Sequence, residues 1–381
     1  VPLSPRTPLA VLAGVGALVA LSACDSTDSA TSGSGAAGPI KVEASDSTCA
    51  VAANTANAGN VTFEITNKGT KVTEFYLYAE GDRIMGEVEN IAPGLNRRLI
   101  VEVPEAGKYQ TACKPGMVGN GIRGDFTVTG GAQKQTDTDS QKAEATKSYA
   151  TYVANNTAAL ETETQKFVDA VKAGKVDEAK AEYATTRVYY ERIEPVAEKF
   201  GDLDPAIDVR EADLESGQKF TGFHRLEKDL WVTGLQPDSP QIADKLLTDV
   251  KDLVAKTKTL QLSALDLANG AKGLLDEVAT GKITGEEETF SHTDLWDFQS
   301  NVDGSKGAIA SLRPILQERD PALVSTLDKQ FANVQALLDK TRVGDGFKYY
   351  NQLSQDEIKA FASAVDALSE PLSKVAEVVS K

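Results

Sequence analysis

Between residues 39 and 130 apolar and polar positions alternate in short runs with a period of two. Val61-Thr62-Phe63-Glu64-Ile65-Thr66 alternates strictly, Asn67-Lys68-Gly69 turns the chain, and Thr73 to Tyr78 is rich in aromatic and β-forming residues. The pattern returns at Leu99-Ile100-Val101-Glu102-Val103, at Lys108 to Cys113 and at Asp125-Phe126-Thr127-Val128-Thr129, with Pro- and Gly-bearing turns between. That spacing predicts a small β sandwich over 39–130. Residues 131–144 are polar and weakly patterned and read as a linker. From Lys147 the period changes: Ala, Leu, Glu and Lys dominate, with apolar residues at helical spacing. Helices are predicted at 158–172, 176–200, 242–265 and 323–339, with breaks at Gly174-Lys175, Gly201 to Pro205 and Gly344 to Gly346. The expected fold class is therefore multidomain, an all-β sandwich followed by an all-α helical bundle over 145–381.

Composition narrows the chemistry. The 381 residues carry a formal charge of -16, with most of the acidic excess in the helical half, which disfavours nucleic acid and anionic lipid surfaces and favours cations as ligands. Three Cys and two His exclude zinc fingers, iron–sulfur clusters and haem-attachment motifs. At the start, Arg6 precedes a small and apolar run from Pro8 to Ala23, short of the roughly 20 residues a permanent span needs. Its end, Leu21-Ser22-Ala23-Cys24, resembles a bacterial lipobox. The resemblance implies a lipoprotein signal peptide over 1–23, an acylated Cys24, and an exported chain lipid-anchored to the outer face of the cytoplasmic membrane. A plain signal peptide followed by an accidental Cys is the alternative. The Ser/Gly/Thr/Ala-rich residues 24–38 read as a flexible tether.

Within the β half, Tyr109-Gln110-Thr111-Ala112-Cys113, the Lys114-Pro115-Gly116-Met117 loop and the closing Phe126-Thr127-Val128 strand resemble the cupredoxin fold, which often holds copper. A type 1 copper centre needs two imidazoles, a thiolate and a weak axial Met. No His precedes residue 224, so that centre is excluded. Two readings stand for the remaining donors. One is an altered metal site of Glu74, Cys49, Cys113 and Met117. The other is a structural disulfide between Cys49 and Cys113 with Met117 packed in the core, favoured because acylation of Cys24 would leave these two, an even number of Cys in an oxidising compartment.

Both His residues lie in the helical half. In Phe220-Thr221-Gly222-Phe223-His224-Arg225-Leu226-Glu227-Lys228-Asp229-Leu230-Trp231, His224 and Glu227 are three apart and share a helix face, so together they can grip one ion; the alternative is a buried structural pair beside an apolar stripe. Gly222-Phe223-His224-Arg225-Leu226-Glu227 resembles the signature of the imelysin-like family, once classed as peptidases. The strings from Arg187 to Pro195, from Phe200 to Asp208 and from Ser291 to Gly304 are similar to a bacterial iron-uptake family that joins an N-terminal cupredoxin domain to a C-terminal imelysin-like domain.

The resemblance implies a metal site at His224 and Glu227, an extracytoplasmic iron-binding role, and an iron permease and a haem peroxidase as partners. Glu191, His292 and Asp294 are the further ligands expected from position along the chain. Such a carboxylate-rich site suits iron foremost, and zinc, manganese or copper also. The competing class is a metallopeptidase. It is opposed by the absence of His-Glu-x-x-His, of a Gly-x-Ser-x-Gly elbow and of a phosphate-binding Gly-Lys-Ser/Thr. Ferrous oxidation by the β domain would need a redox metal that its donors hold poorly. A weak internal duplication is suggested by Glu194-Pro195 and Arg313-Pro314.

Overall fold

The computed structural model describes residues 38–130, 140–214 and 217–381. The expected signal peptide, Cys24, nearly all of the tether and most of the linker lie outside the described residues. The first half is a two-sheet sandwich. Strands β1 (Ile40–Ala44), β2 (Cys49–Val51), β4 (Gly59–Asn67) and β7 (Asn96–Val103) form one sheet in the order β2-β1-β4-β7. Strands β3 (Thr55–Asn57), β9 (Ile122–Thr129), β8 (Gly107–Cys113), β5 (Thr73–Tyr78) and β6 (Ile84–Ile91) form the other in that order. The two N-terminal pairings β1–β4 and β3–β9 are parallel, and the rest are antiparallel.

Alternation decides what each strand buries. Val61, Phe63 and Ile65 of β4 point inward, and Phe63 packs on Phe75 and Phe126 with ring centroids 5.0 and 5.4 Å apart. Strand β7 serves two cores. Leu99, Val101 and Val103 face the sandwich, while Ile100, on the other face, joins the apolar cluster of the helical half. The junction is also tied by hydrogen bonds from Asn269 Nδ2 to the Ile100 carbonyl (2.8 Å) and from Asn90 Nδ2 to the Asp276 carbonyl (3.1 Å).

The second half is built on α1 (Ser140–Lys172), which packs on α2 (Val176–Glu191), α5 (Ser239–Thr257) and α7 (Asp294–Arg319). Between them lie α3 (Leu203–Asp208), α4 (Gly222–Lys228) and α6 (Ala264–Thr280); α8 (Pro321–Lys340), α9 (Gln355–Leu372) and α10 (Val375–Ser380) follow. Five expectations are corrected. The helix predicted over 176–200 stops at Glu191 and resumes as a 3-10 segment, Glu194–Phe200, because Pro195 has no N–H to donate and disfavours helical geometry at Glu194. The one predicted over 242–265 is two helices, since Ser263 opens a capping box with Asp266 and starts α6 afresh. A two-residue hairpin, β10 (Arg342–Val343) with β11 (Gly346–Phe347), interrupts the expected all-helical region. Finally, α1 begins at Ser140, inside the expected linker, and Pro314 sits within α7 whereas Pro195 opens a 3-10 segment, so the two Pro signals mark no structural repeat.

Candidate metal centre

Helix α4 carries His224 and Glu227 one turn apart, with Nδ1 and Oε2 separated by 3.1 Å. Its entry requires glycine. Gly222 has φ +81°, and a Cβ there would run into the carbonyl oxygen of Ile207, so only glycine lets the start of α4 touch the end of α3. The next residue of α3 is Asp208, and that contact sets Asp208 Oδ1 3.6 Å from His224 Nε2. The loop between Gly285 and Thr293 closes the group, placing Glu287 Oε1 also 3.6 Å from Nε2. Backbone N–H groups of Phe290 and Ser291 donate to Glu227 Oε1 at 2.9 and 2.7 Å, which pins the loop to α4.

Two triads result, each with one ligand atom per residue and all such atoms within 4.8 Å of one another: Asp208, His224 and Glu287, and His224, Glu227 and Glu288. They share the imidazole but use opposite sides of it. Glu227 spends both oxygens, Oε2 on Nδ1 and Oε1 on the two backbone donors. His224 Nε2 has no hydrogen-bond partner although the residue is only 1% exposed. A carboxylate that accepts from Nδ1–H fixes the tautomer and aims the Nε2 lone pair, the arrangement by which metal-binding histidines are oriented. Burial and the Arg187 guanidinium oppose protonation of the ring, but the Nδ1 hydrogen bond to Glu227 and the Glu287 and Asp208 carboxylates facing Nε2 override them and hold its pKa up at about 9. A proton and a cation are therefore alternative occupants of the same position.

The carboxylates are gathered by two buried cations. Arg187, wholly buried on α2, pairs with Asp208 and Glu191, with Glu288 at 2.5 Å and with Glu287 at 3.5 Å. Lys282 pairs with Glu191 at 2.9 Å and Glu194 at 2.8 Å, and Asn301 Nδ2 donates to both. Burial would raise the Glu287 carboxyl, yet Lys282, His224 and Arg187 hold it far below the usual range. Burial raises Glu288 and Asp297 well above it, helped at Glu288 by the charge of Glu227 and at Asp297 by that of Glu288; both oxygens of Asp297 lack hydrogen-bond partners.

Of the residues expected from sequence, His224 and Glu227 come together. Glu191 lies in the same network with its oxygens engaged by Arg187, Lys282 and Asn301. Asp294 Oδ1 accepts from the Glu288 backbone at 3.1 Å and so buttresses the loop. His292 is a corner of that loop, at φ +59°, with its carbonyl accepting from Tyr350 N–H at 2.8 Å; its ring belongs to neither triad. Asp208, Glu287, Glu288 and Arg187 were not anticipated. The signals available were the Glu286-Glu287-Glu288 run just ahead of His292 and the Asp that ends the Phe200–Asp208 string.

Two cavities reach the group. One of 240 Å³ is lined by His224, Glu227, Arg210, Glu287 and Phe290. A larger one of 530 Å³ is lined by Asp208, Glu287, Glu194, Asp204, Glu277 and Arg210. In the β half, Cys49 and Cys113 form a disulfide linking β2 of one sheet to β8 of the other. Glu74 is buried with Oε2 accepting from Tyr76 O–H at 2.9 Å. Met117, expected in the core, instead stands half-buried in a turn at φ +59°, outside the sandwich's apolar cluster.

The Imelysin family model matches residues 145–375 and the Cupredoxin-like domain model residues 13–128. The chain is 41% identical over 346 residues to "Iron uptake system component EfeO" of Escherichia coli O157:H7, covering 89% of this chain and 91% of that protein. It is 40% identical, with the same coverage, to the proteins of that name from Escherichia coli K12 and Shigella flexneri. Among solved structures, reduced auracyanin of Roseiflexus castenholzii is 18% identical, matching 25% of this chain and all of that one with a TM-score of 0.22.

Proposed function

This chain belongs to the EfeO family, and from that premise we propose that it captures iron outside the cytoplasmic membrane and delivers it to a membrane permease. The observation that carries the reading is the unpartnered, buried Nε2 of His224 facing Asp208 and Glu287. One imidazole and two carboxylates leave coordination positions open, so iron can enter and leave without dismantling the site. In this assignment Glu227 orients the imidazole and Asp208, His224 and Glu287 bind the cargo. Acylation of Cys24 would hold the protein at the membrane, and a haem peroxidase would be a further partner of the uptake system. The role is binding rather than catalysis: a peptidase needs a carboxylate free to take a proton from water, and both oxygens of Glu227 are already spent.

Titration of the purified protein with ferrous iron under anaerobic conditions and with ferric nitrilotriacetate tests this. Asp208→Asn, Glu287→Gln and His224→Ala should each weaken uptake about a hundredfold while circular dichroism stays unchanged. Undiminished uptake in folded variants would sink the assignment, and metal-dependent peptide cleavage lost in Glu227→Ala would replace it with the peptidase.

A further inference from the structure

The 530 Å³ cavity beside the His224 group does not stop at the helical half. A second cavity of 270 Å³ shares Glu194, Asp204 and Glu277 with it and is bounded on its far side by Met85, Glu87 and Glu89 of β6. Acidic side chains therefore run from the junction of sandwich and helices, past Glu277, to Asp208 and Glu287. Asp208 and Glu287, at its inner end, each set a carboxylate oxygen 3.6 Å from the unpartnered Nε2 of His224, a residue 1% exposed. Either cavity is large enough for several waters, so a cation could travel with part of its hydration shell.

One residue of α6 has no other explanation. Gly273 lines the junction cavity, its φ is ordinary, and a Cβ added to it would meet nothing within 4 Å. Glycine in a helix interior costs about 1 kcal/mol relative to alanine. One turn earlier Gly270 has a packing reason, since a Cβ would strike the Pro195 carbonyl, but at Gly273 the only thing that the missing side chain leaves is open space. The alternative mouth, the 240 Å³ cavity, is lined by His224, Glu227 and Glu287 together with Ala212, Thr289 and Phe290, and its further carboxylate, Glu211, is paired with Lys228.

We propose that the cleft between the sandwich and α6 is the passage by which a metal cation reaches and leaves the His224 group, and that Gly273 keeps it open. This rests on the reading of that group as the iron site. It also gives the β half a task that needs no metal of its own: β6 supplies one wall of the passage.

A neutral plug separates passage from site. Gly273→Phe fills the cleft without altering any charge near His224, and Gly273→Ala is the control for the helix. Stopped-flow quenching of intrinsic fluorescence by ferrous iron, anaerobically, gives the rates, and equilibrium titration gives Kd. Association and dissociation should both slow about tenfold in Gly273→Phe with Kd within twofold of wild type, because a constricted route changes both rates alike. Gly273→Ala, and Glu211→Gln on the other mouth, should keep wild-type rates. Unchanged rates in Gly273→Phe, or slowing in Glu211→Gln, would overturn the passage while leaving the site intact. A wild-type protein that takes up no iron would overturn the site and the passage with it.

Discussion

At the scale of single residues the informative contrast is between Glu227 and Glu287. Both lie near His224, but Glu227 faces Nδ1 and Glu287 faces Nε2. Glu227→Gln turns an acceptor into an amide whose NH2 can face Nδ1. The ring would then accept at Nδ1 and carry its proton on Nε2, where the cation should bind. Iron affinity should fall about 10- to 100-fold although every binding group remains, the range seen when a partner behind a metal ligand is lost; titration against the wild type checks this, and an unchanged affinity counts against the orienting role. The His-x-x-Glu pair was legible because three residues along a helix is a fixed geometry. Asp208 and Glu287 were not, because their approach depends on Gly222 meeting Ile207 and on the loop hung from Glu227, and neither contact leaves a periodic trace in sequence. A second prediction concerns acids near the site. Burial is the largest cause raising Asp294 and Asp204, each to about 6. Raised carboxyl groups stabilise the fold while protonated, so their contribution is present below about pH 4 and is lost as pH rises through 6. The cation-free protein should lose on the order of 2 kcal/mol between pH 4.5 and 7.5 from such groups. Denaturant melts across that range check it, and stability that rises with pH would contradict it.

At the scale of elements, the short helix α4 exists to present one face, and its start is the weak point. Gly222→Ala places a Cβ against a backbone carbonyl at φ +81°, where no flexible side chain can give way. It should destabilise the helical half by about 2–4 kcal/mol and weaken iron uptake together. Thermal melts and titration of the same sample check both; a stable variant with normal uptake would show that α3 and α4 need not touch. Strands with strict alternation, β4 above all, could be read from sequence because one face of each is buried. β1, β2 and β3 escaped notice because they are only three to five residues long. The breaks after Glu191 and Thr257 escaped for another reason: apolar residues keep their helical spacing across both, and local chemistry at Pro195 and Ser263 overrides the pattern.

At the scale of the molecule, the disulfide and the junction do different work. Cys49–Cys113 closes a loop with a sequence separation of 64, which in the chain-entropy model stabilises by about 4 kcal/mol. A Cys49→Ala, Cys113→Ala protein should therefore unfold at markedly lower denaturant, read by near-ultraviolet signals of the sandwich aromatics; an unchanged midpoint would mean that the sheets are held together without it. The domain order was legible from the switch of period near residue 130, but the intimacy of the two halves was not, since one isoleucine among alternating residues looks like any other. Ile100 reaches the helical core because β7 turns alternate side chains to opposite faces. Expressed alone, the sandwich would bare Ile100 beside the Asn90 and Arg98 that the helices now engage, and the helical fragment would bare the groove that receives it. Each fragment would then be sticky toward the other, and mixing the two should regenerate the whole more readily than either stays in solution by itself.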